Sequence, residues 1–336
     1  MSKARVRARA VVGDIGGTNA RFGALLTDDP HALSDIRVYP CLDFEGLADA
    51  FQMYLADSGL STDCLSVAMA CPVERDIVKM TNNHWQFSKR ELLAQLGLAE
   101  LRVINDFTAQ SLAVPLLTDD EQLVLHAGEP GLPKPKLVIG PGTGLGVGGL
   151  VPTANAWVPI VCEGGHVAAT ATTAEESQVI DYLRERFGHV SAERLISGQG
   201  IENLHEAFSH LAGTSEPEDW TAAIIARRAQ EGRDELSVKS LNTFCAMLGT
   251  TVGNAAVTLG SLGGIYLCGG ILPRMVEFLL ASEFLHRLHH KGRFERYMQS
   301  MPVILVTAPY AGLLGAAAAV DNTHLDYIGS VERRHD

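Results

Sequence analysis

A glycine-rich turn near the start of the chain carries the clearest chemical signal in the sequence. Its residues are Gly13, Asp14, Ile15, Gly16, Gly17 and Thr18. Glycines allow a tight turn and let backbone N–H groups approach phosphate oxygens, because no Cβ atom stands in the way. Asp14 has no basic neighbour inside the turn, so its carboxylate is placed to hold Mg²⁺, directly or through water. The alternative is a β-hairpin whose glycines serve only the turn.

Further glycine clusters recur along the chain, two of them directly after apolar runs that favour strands. Their candidate ligand-binding residues are Gly142, Thr143 and Gly144 in the first, and Gly269 and Gly270 in the second. A stretch of small residues at 311–319 predicts a helix that can pack its backbone closely against a neighbour. Each cluster alone is typical of packing or turn geometry, but their shared order along the chain argues against coincidence.

A pair of polar residues follows another predicted strand. The strand 101–104 ends at Asn105 and Asp106, where a helix is predicted to begin. Ligands of open α/β sheets bind at such strand ends. Asp106 alone is typical of a helix N-cap. Asn105 beside it changes that balance, because an amide and a carboxylate together offer donors and acceptors to neighbouring sugar hydroxyls.

Three more polar residues are candidates in the second half of the chain. Glu163 and His166 are separated by two glycines, so little side-chain bulk prevents them from facing one point. Their spacing also suits metal ligands, but no second Cys or His pair follows at suitable spacing, which argues against a structural metal site. Glu193 follows Ser191, a candidate N-cap, and could therefore be an ordinary acid in the first turn of a helix. His189 is interpreted as structural.

Length and charge narrow the classes of function. At 336 residues the chain exceeds the usual size of a single core, so two lobes are expected. The formal net charge of -12 argues against a nucleic-acid surface, which needs clustered Lys and Arg. It does not argue against ATP, because backbone amides, helix N-termini and Mg²⁺ can hold a nucleotide without a basic surface.

Cysteine usage and hydropathy indicate a cytoplasmic protein without a membrane span. The six cysteines form no CxxC pair and no zinc-finger grouping, and several lie in apolar runs, as buried thiols do. The first residues lack the apolar core of a signal peptide. The most apolar region, 247–272, is interrupted by glycines and polar residues, so it predicts a buried helix followed by a strand.

The order of predicted elements indicates two α/β halves. Each half has its own sheet, and the mostly helical stretch from about 173 to 260 is an insertion in the second. The Pro-rich segment 130–135 is the best linker candidate. We expect a small domain of residues 1–116 and 308–336, and a large domain of residues 117–307, with an active-site cleft between them.

Taken together, these motifs resemble those of the bacterial glucokinases, in the hexokinase group whose fold is shared with actin and Hsp70 ATPases. The resemblance runs nearly end to end, and the combination of motifs makes it specific. Besides the residues named above, the matching segments are 70–72, 80–82, 104–109, 189–194 and 312–315. The chain lacks the Cys-rich zinc loop of the repressor and kinase sugar family, so it does not resemble that subgroup.

The resemblance implies a two-lobed actin-like ATPase (ribonuclease H-like) α/β fold, with a mixed sheet flanked by helices in each lobe. It implies ATP-dependent phosphorylation of D-glucose at its 6-hydroxyl, the first step of glycolysis, by a homodimer that uses Mg²⁺. The implied glucose contacts are Asn105, Asp106, Glu163, His166 and Glu193. The implied ATP contacts are Gly13 to Thr18, Gly142 to Gly144, and Gly269 with Gly270.

A sugar hydroxyl is a poor nucleophile at neutral pH, so a carboxylate must orient it and accept its proton. We assign this role of general base to Asp106. The chain has no GxxxxGK[ST] motif and therefore no P-loop lysine. Glycine-turn amides and Mg²⁺ must then balance the phosphate charge.

Other functions stay open at this point. The chain could phosphorylate another hexose, such as mannose, fructose or an N-acetylated amino sugar, because spacing does not reveal which hydroxyls are bound. It could also be a non-catalytic sugar-sensing regulator, although its acidic charge argues against DNA binding. A filament or chaperone ATPase of the same fold would have no use for the clustered sugar-type side chains.

Overall fold

The computed structural model describes residues 6–129, 133–214 and 220–329. The predictions made for the two ends of the chain, and half of the linker candidate, concern residues outside these ranges. The described residues form two compact units. The first unit contains 6–118, 153–161 and 308–329, and the second contains 119–129, 133–152, 162–214 and 220–307.

Strands alternate with helices through most of the chain. The strands are β1 (Val6–Arg7), β2 (Ala10–Ile15), β3 (Asn19–Leu25), β4 (Leu33–Pro40), β5 (Leu60–Ser61), β6 (Cys64–Met69), β7 (Ile77–Lys79), β8 (Gln86–Ser88), β9 (Glu100–Asn105), β10 (Gln122–His126), β11 (Lys136–Pro141), β12 (Leu145–Pro152), β13 (Trp157–Val161), β14 (Ile265–Leu267), β15 (Val303–Val306) and β16 (Ile328–Gly329). The α-helices are α1 (Leu47–Ser58), α2 (Lys89–Leu96), α3 (Asp106–Ala113), α4 (Ala174–Phe187), α5 (Gly198–Leu211), α6 (Ala222–Gln230), α7 (Glu235–Leu259), α8 (Val276–Ala281), α9 (Phe284–His289), α10 (Glu295–Gln299) and α11 (Ala311–Val320).

The sheet of the first unit has the strand order β16-β9-β6-β2-β3-β4. Strands β2, β6 and β9 are parallel, and β2 continues into β3 through an antiparallel hairpin. Strand β2 is almost fully buried, as expected where parallel strands are covered on both faces. Phe22, Phe51 and Tyr54 are part of the core between this sheet and α1.

Helices α3 and α11 pack closely in the first unit because α11 consists of small residues. A Cβ atom added at Gly315 would lie 1.8 Å from the carbonyl oxygen of Ala109 in α3. The Ser66 hydroxyl in β6 donates to the carbonyl oxygen of Ala316 at 2.7 Å. The predicted small-residue helix therefore lies directly against the helix that begins at Asp106.

The strands of the second unit follow the same plan. Their order includes β10-β15-β14-β11-β12, in which β15, β14 and β11 are parallel and β11 continues into β12 through an antiparallel hairpin. In each unit, the first strand of the hairpin therefore pairs in parallel with a strand much later in the chain. Helices α4 to α7 form the helical block predicted between the strands of this unit.

The long apolar segment of the second unit is a buried helix followed by a strand, as the sequence predicted. Helix α7 ends at Leu259 and β14 begins at Ile265. A Cβ atom added at Gly249 would lie 2.2 Å from the carbonyl oxygen of Phe284, so α9 packs directly on α7. Among the described residues, no helix combines the length and apolar character needed to cross a membrane. The two mixed sheets with flanking helices confirm the predicted α/β class.

Candidate functional site

The first glycine turn connects β2 and β3 in the first unit. Ile15 pairs with Ala20, and the Gly16 N–H donates to the carbonyl oxygen of Asn19 at 2.9 Å. The turn is therefore a hairpin in its geometry. Residues from two other segments hold it, because the Asn83 amide donates to the carbonyl oxygen of Gly16 at 3.3 Å and the Cys41 N–H donates to that of Thr18 at 2.8 Å.

The glycines of this turn are not equivalent. A Cβ atom at Gly13 would lie 2.8 Å from Cγ1 of Val67, and one at Gly17 would lie 2.8 Å from Cβ of Asn82. Packing therefore explains these two glycines. At Gly16 the nearest atom would be 3.7 Å away, which is an ordinary contact. Neither packing nor a positive φ requires glycine at this position, which leaves room for a ligand to approach the backbone.

Asp14 lies at the end of β2 with its side chain 24% exposed. Its Oδ2 lies 3.3 Å from Nη1 of Arg21, the residue opposite it on β3. Burial raises the pKa of the Asp14 carboxyl above its ordinary value, and Arg21 opposes that rise. A Cβ atom at Gly312, in the first turn of α11, would lie 2.7 Å from Cγ of Asp14. The carboxylate thus lies beside the positive end of a helix.

The surroundings of Asp14 fit a loosely held magnesium ion. Among the residues that the structure describes, no three His, Cys, Asp or Glu side chains gather as a metal-ion site. Mg²⁺ commonly keeps several waters and binds through one or two carboxylates together with substrate phosphates. One partly exposed carboxylate, two residues from an open glycine, suits that mode better than a cage built wholly from protein.

Asn105 and Asp106 lie where β9 ends and α3 begins. The N-cap residue is Asn105, whose Oδ1 accepts the Phe107 N–H at 2.8 Å. Oδ1 of Asp106 accepts the same N–H at 2.9 Å. The Asn105 amide also lies 3.4 Å from the carbonyl oxygen of Cys71. Burial raises the pKa of the Cys71 thiol to about 11, and the nearby Asp106 charge adds to this rise. Asp106 is thus an acid in the first turn of a helix, and its carboxylate shares the Phe107 N–H with Asn105.

The second glycine turn connects β11 and β12 in the second unit. Pro141 pairs with Leu145, and the Gly142 N–H donates to the carbonyl oxygen of Gly144 at 2.8 Å. The Gly198 N–H donates to the carbonyl oxygen of Gly142 at 2.9 Å, which ties the turn to the start of α5. A Cβ atom at Gly142 would have nothing within 4 Å.

The third cluster lies directly beside the second. A Cβ atom at Gly140 would lie 2.2 Å from the carbonyl oxygen of Cys268, so the two segments touch through their backbones. Gly269 has a φ of +87°, and its Cβ atom would lie 2.4 Å from the carbonyl oxygen of Pro141. Gly270 is open, with nothing within 4 Å. The structure thus brings together two clusters that are far apart in the sequence.

Glu163 is the N-cap of a short 3-10 helix, Gly164–His166, which ends at His166. A Cβ atom at Gly165 would lie 2.0 Å from the carbonyl oxygen of Leu145, so glycine allows this helix to lie against β12. His166 has a side chain that is 61% exposed. His189 contacts the carbonyl oxygen of His166 through Nε2 at 3.0 Å, in keeping with a structural role.

Glu193 lies in the 3-10 helix Ala192–Arg194. The Ser191 side chain makes no cap hydrogen bond. Oε2 of Glu193 accepts the Leu145 N–H at 2.9 Å, and its Oε1 lies 3.9 Å from Nδ1 of His166. Glu193 is an acid in the first turn of its helix, as the alternative interpretation predicts, and its carboxylate also binds the Leu145 N–H of a distant segment.

The candidate residues form one group in each unit. In the first unit the group is the turn Gly13 to Thr18 with Asp14, and the pair Asn105 and Asp106. In the second unit it is Gly142 to Gly144, Gly269, Gly270, Glu163, His166 and Glu193. Sequence reasoning missed Arg21, Asn83 and Gly312 as neighbours of the first turn. Only the alternation of β2 and β3 could have indicated Arg21, because paired residues face each other across a hairpin.

Comparison with known proteins identifies close relatives. A family model described as Glucokinase matches residues 11–323. A glucokinase of Marinobacter nauticus is 48% identical over 320 residues, which cover 94% of this chain and 98% of the relative. A glucokinase of Hahella chejuensis is 45% identical over 325 residues, covering 96% and 99%. A crystal structure of glucokinase from an Antarctic psychrotroph, 36% identical, superimposes with a TM-score of 0.84 and covers 92% and 98%.

Proposed function

The chain belongs to the glucokinase family, and from that premise we propose that it transfers the terminal phosphoryl group of ATP to the 6-hydroxyl of D-glucose. The proposal assigns glucose to Asn105, Asp106, Glu163, His166 and Glu193. It assigns ATP to the glycine turns of both units. Among the family's possible sugar substrates, glucose is the one in the names of the matching relatives.

The main structural support for this proposal is one hydrogen bond. Glu193, a proposed sugar ligand, accepts a hydrogen bond from Leu145, the residue that ends the proposed nucleotide turn Gly142 to Gly144. In this proposal, a side chain that binds the sugar contacts the residue that follows a turn that binds the nucleotide, within one unit. A kinase requires this adjacency, because acceptor and donor must react at close range.

Asp106 is the proposed general base. Its place at the N-terminus of α3 favours the ionised carboxylate, since the helix dipole stabilises negative charge there. An ionised carboxylate can orient the 6-hydroxyl and accept its proton as the O–P bond forms. Asn105 is the N-cap, and Oδ1 of Asp106 also accepts the Phe107 N–H, which holds the carboxylate at the helix N-terminus.

Glu163, His166 and Glu193 orient the sugar in this proposal. Carboxylates accept hydrogen bonds from sugar hydroxyls, and a His ring can donate or accept. The short distance between His166 and Glu193 lets both meet neighbouring hydroxyls of one ring. Binding energy from these remote hydroxyls positions the reacting one, so their loss should affect affinity first and turnover second.

The open glycines would admit the phosphates. Gly16, Gly142 and Gly270 lack a packing reason to be glycine, and backbone N–H groups at such positions can approach phosphate oxygens. Asp14 would hold Mg²⁺, and Mg²⁺ when bound supplies positive charge that offsets charge on the transferring phosphoryl group. Arg21 holds the Asp14 carboxylate in place from the facing strand.

Replacing Asp106 by Asn tests the base directly. We expect Asp106→Asn to fold normally and to lower kcat by about 10²- to 10⁴-fold, the usual contribution of a positioned base. Glucose binding measured by calorimetry should largely remain, because the amide still accepts a hydrogen bond. Near-normal turnover would remove Asp106 from this role.

The sugar itself is tested with a panel of hexoses. Glucose, mannose, fructose and N-acetylglucosamine are compared as acceptors in an assay coupled to ADP release. We expect the highest kcat/KM with glucose. A higher value with another sugar would contradict the proposed substrate while leaving the kinase chemistry intact.

The remaining parts of the proposal follow from the family resemblance. We propose a cytoplasmic enzyme that acts at the first step of glycolysis, depends on Mg²⁺ and assembles as a homodimer. Light scattering on the purified protein tests the dimer, and removal of divalent metal by a chelator tests the metal requirement. A monomer at assay concentration, or full activity after chelation, would contradict the corresponding part.

A further inference from the structure

The two carboxylate oxygens of Glu193 face different neighbours. Oε2 accepts the Leu145 N–H at 2.9 Å. Oε1 lies 3.9 Å from Nδ1 of His166, too far for a direct hydrogen bond. The side chain is 31% exposed, so part of it remains accessible to a ligand. One oxygen is therefore bound to the protein backbone, and the other faces a proposed sugar ligand.

The backbone that Glu193 holds is the end of the turn Gly142 to Gly144. Leu145 pairs with Pro141 and closes this turn. A Cβ atom added at Gly144 would lie 2.4 Å from Oε2 of Glu193. The carboxylate therefore occupies the space beside Gly144 that a side chain would otherwise fill, and it packs against the turn as well as bonding to it.

The segment that follows Glu193 holds the other end of the same turn. The Ser197 hydroxyl donates to the carbonyl oxygen of Glu193 at 2.8 Å. The next residue, Gly198, donates its N–H to the carbonyl oxygen of Gly142 at 2.9 Å. Residues 193–198 thus contact the turn at both of its ends.

From this geometry we infer that Glu193 is a positioning residue for the nucleotide turn as well as a sugar contact, and that it couples the two binding events. The inference rests on the proposed function. A sugar hydroxyl bound to Oε1 restrains the carboxylate, and the restrained Oε2 holds Leu145 and the turn in the conformation that receives phosphate. Linkage is reciprocal, so a bound nucleotide strengthens sugar binding by the same factor.

Glu163 offers a matched control. It is also a proposed sugar ligand, but its exposed side chain makes no hydrogen bond or ion pair with any residue that the structure describes. Its removal should weaken sugar binding without touching the nucleotide turn. Glu193 and Glu163 therefore separate a coupling residue from a simple contact.

The experiment measures the Kd of the ATP analogue AMPPNP with Mg²⁺ by calorimetry, without sugar and with glucose. Wild type is compared with Glu193→Ala, Glu193→Gln and Glu163→Ala, after thermal unfolding has shown that each variant is folded. Without sugar, we expect Glu193→Ala to weaken AMPPNP binding roughly fivefold or more, the lower range of typical coupling. Glu163→Ala should match wild type.

The variant Glu193→Gln distinguishes a specific role in positioning the nucleotide turn from a general loss of structure. Its amide oxygen can still accept the Leu145 N–H, so sugar-free AMPPNP binding should stay within about twofold of wild type, as for a change without structural consequence. Glucose binding should nevertheless weaken, because the charge facing the sugar is lost. Retained AMPPNP affinity together with weakened glucose affinity is not expected from a residue that only stabilises the fold.

Two results would overturn the inference. One is wild-type AMPPNP affinity in Glu193→Ala without sugar. The other is equal weakening in Glu163→Ala, which would show that no specific contact with the turn is involved. Failure of the proposed function would be visible elsewhere, since wild type itself would then bind neither AMPPNP nor glucose.

Discussion

The glycine turns of the two units follow equivalent strands of two similar sheets. The charged side chains beside the two turns, however, come from different parts of the chain. Between β2 and β3, the turn has charged residues on its own strands, because Asp14 and Arg21 face each other across the hairpin. Between β11 and β12, the turn has no charged side chain and takes a carboxylate from Glu193, 48 residues beyond Leu145. The two units thus share a strand arrangement but differ in the charged groups beside their turns.

The difference shows what a hairpin turn can and cannot supply. Strand pairing places a glycine-rich turn at the end of a parallel strand in both units, and backbone N–H groups in such turns can contact phosphate. Strand register alone places the Asp14 carboxylate beside Arg21. The carboxylate beside the second turn comes from a distant segment, and it lies near both Leu145 and His166.

The largest effect should come from removing the charge of the first turn. Asp14→Asn should lower kcat by about 100-fold or more, as loss of a group that supports transition-state charge does. Stability near pH 7 should not fall. Burial raises the Asp14 pKa in the folded state, so the folded protein loses stability as pH rises from the unfolded pKa through the folded one, and Asn avoids that loss.

The measurement pairs steady-state kinetics with thermal unfolding at several pH values. The exposed acid Glu185 provides a control, since Glu185→Gln should change neither quantity. A marked loss of stability in Asp14→Asn would mean that the carboxylate serves the fold, and normal kcat would remove it from the metal site.

A smaller effect is expected on stability, where Gly269 and Gly270 of the third cluster should differ. Gly269→Ala should lower the free energy of unfolding by about 2 kcal/mol or more, because it forces a positive φ and a clash with the carbonyl oxygen of Pro141. Gly270→Ala should change it by no more than about 0.5 kcal/mol. Urea unfolding measures both, and equal losses would show that Gly270 also has a packing role.

The smallest effect should be on nucleotide affinity at the open glycines. Gly16→Ala and Gly142→Ala should each raise the KM for ATP by roughly tenfold, equivalent to about 1.4 kcal/mol of binding, without a comparable loss of stability. Gly46→Ala, at an equally open glycine before α1, should leave KM unchanged. If the KM for ATP rises in one turn only, the two turns do not share the nucleotide.

Much of the fold could be predicted because local signals were strong. Apolar runs ending in glycine predicted β2, β11 and β14, and the small-residue pattern predicted α11. The site was predicted less completely. Asn105 rather than Asp106 is the N-cap, since either residue suits that position in sequence. Arg21 was missed because its contact with Asp14 depends on strand register, which spacing along the chain does not reveal.

The amino-acid sequence by itself determined where the chain can turn sharply and which side chains can bind metal, phosphate or sugar, because backbone freedom and functional groups belong to residue types. Only the tertiary structure decided which glycines are needed for packing and which leave room for a ligand, since that depends on neighbours distant in sequence. It also decided that Glu193 contacts Leu145, because a hydrogen bond across 48 residues exists only once two segments have packed together.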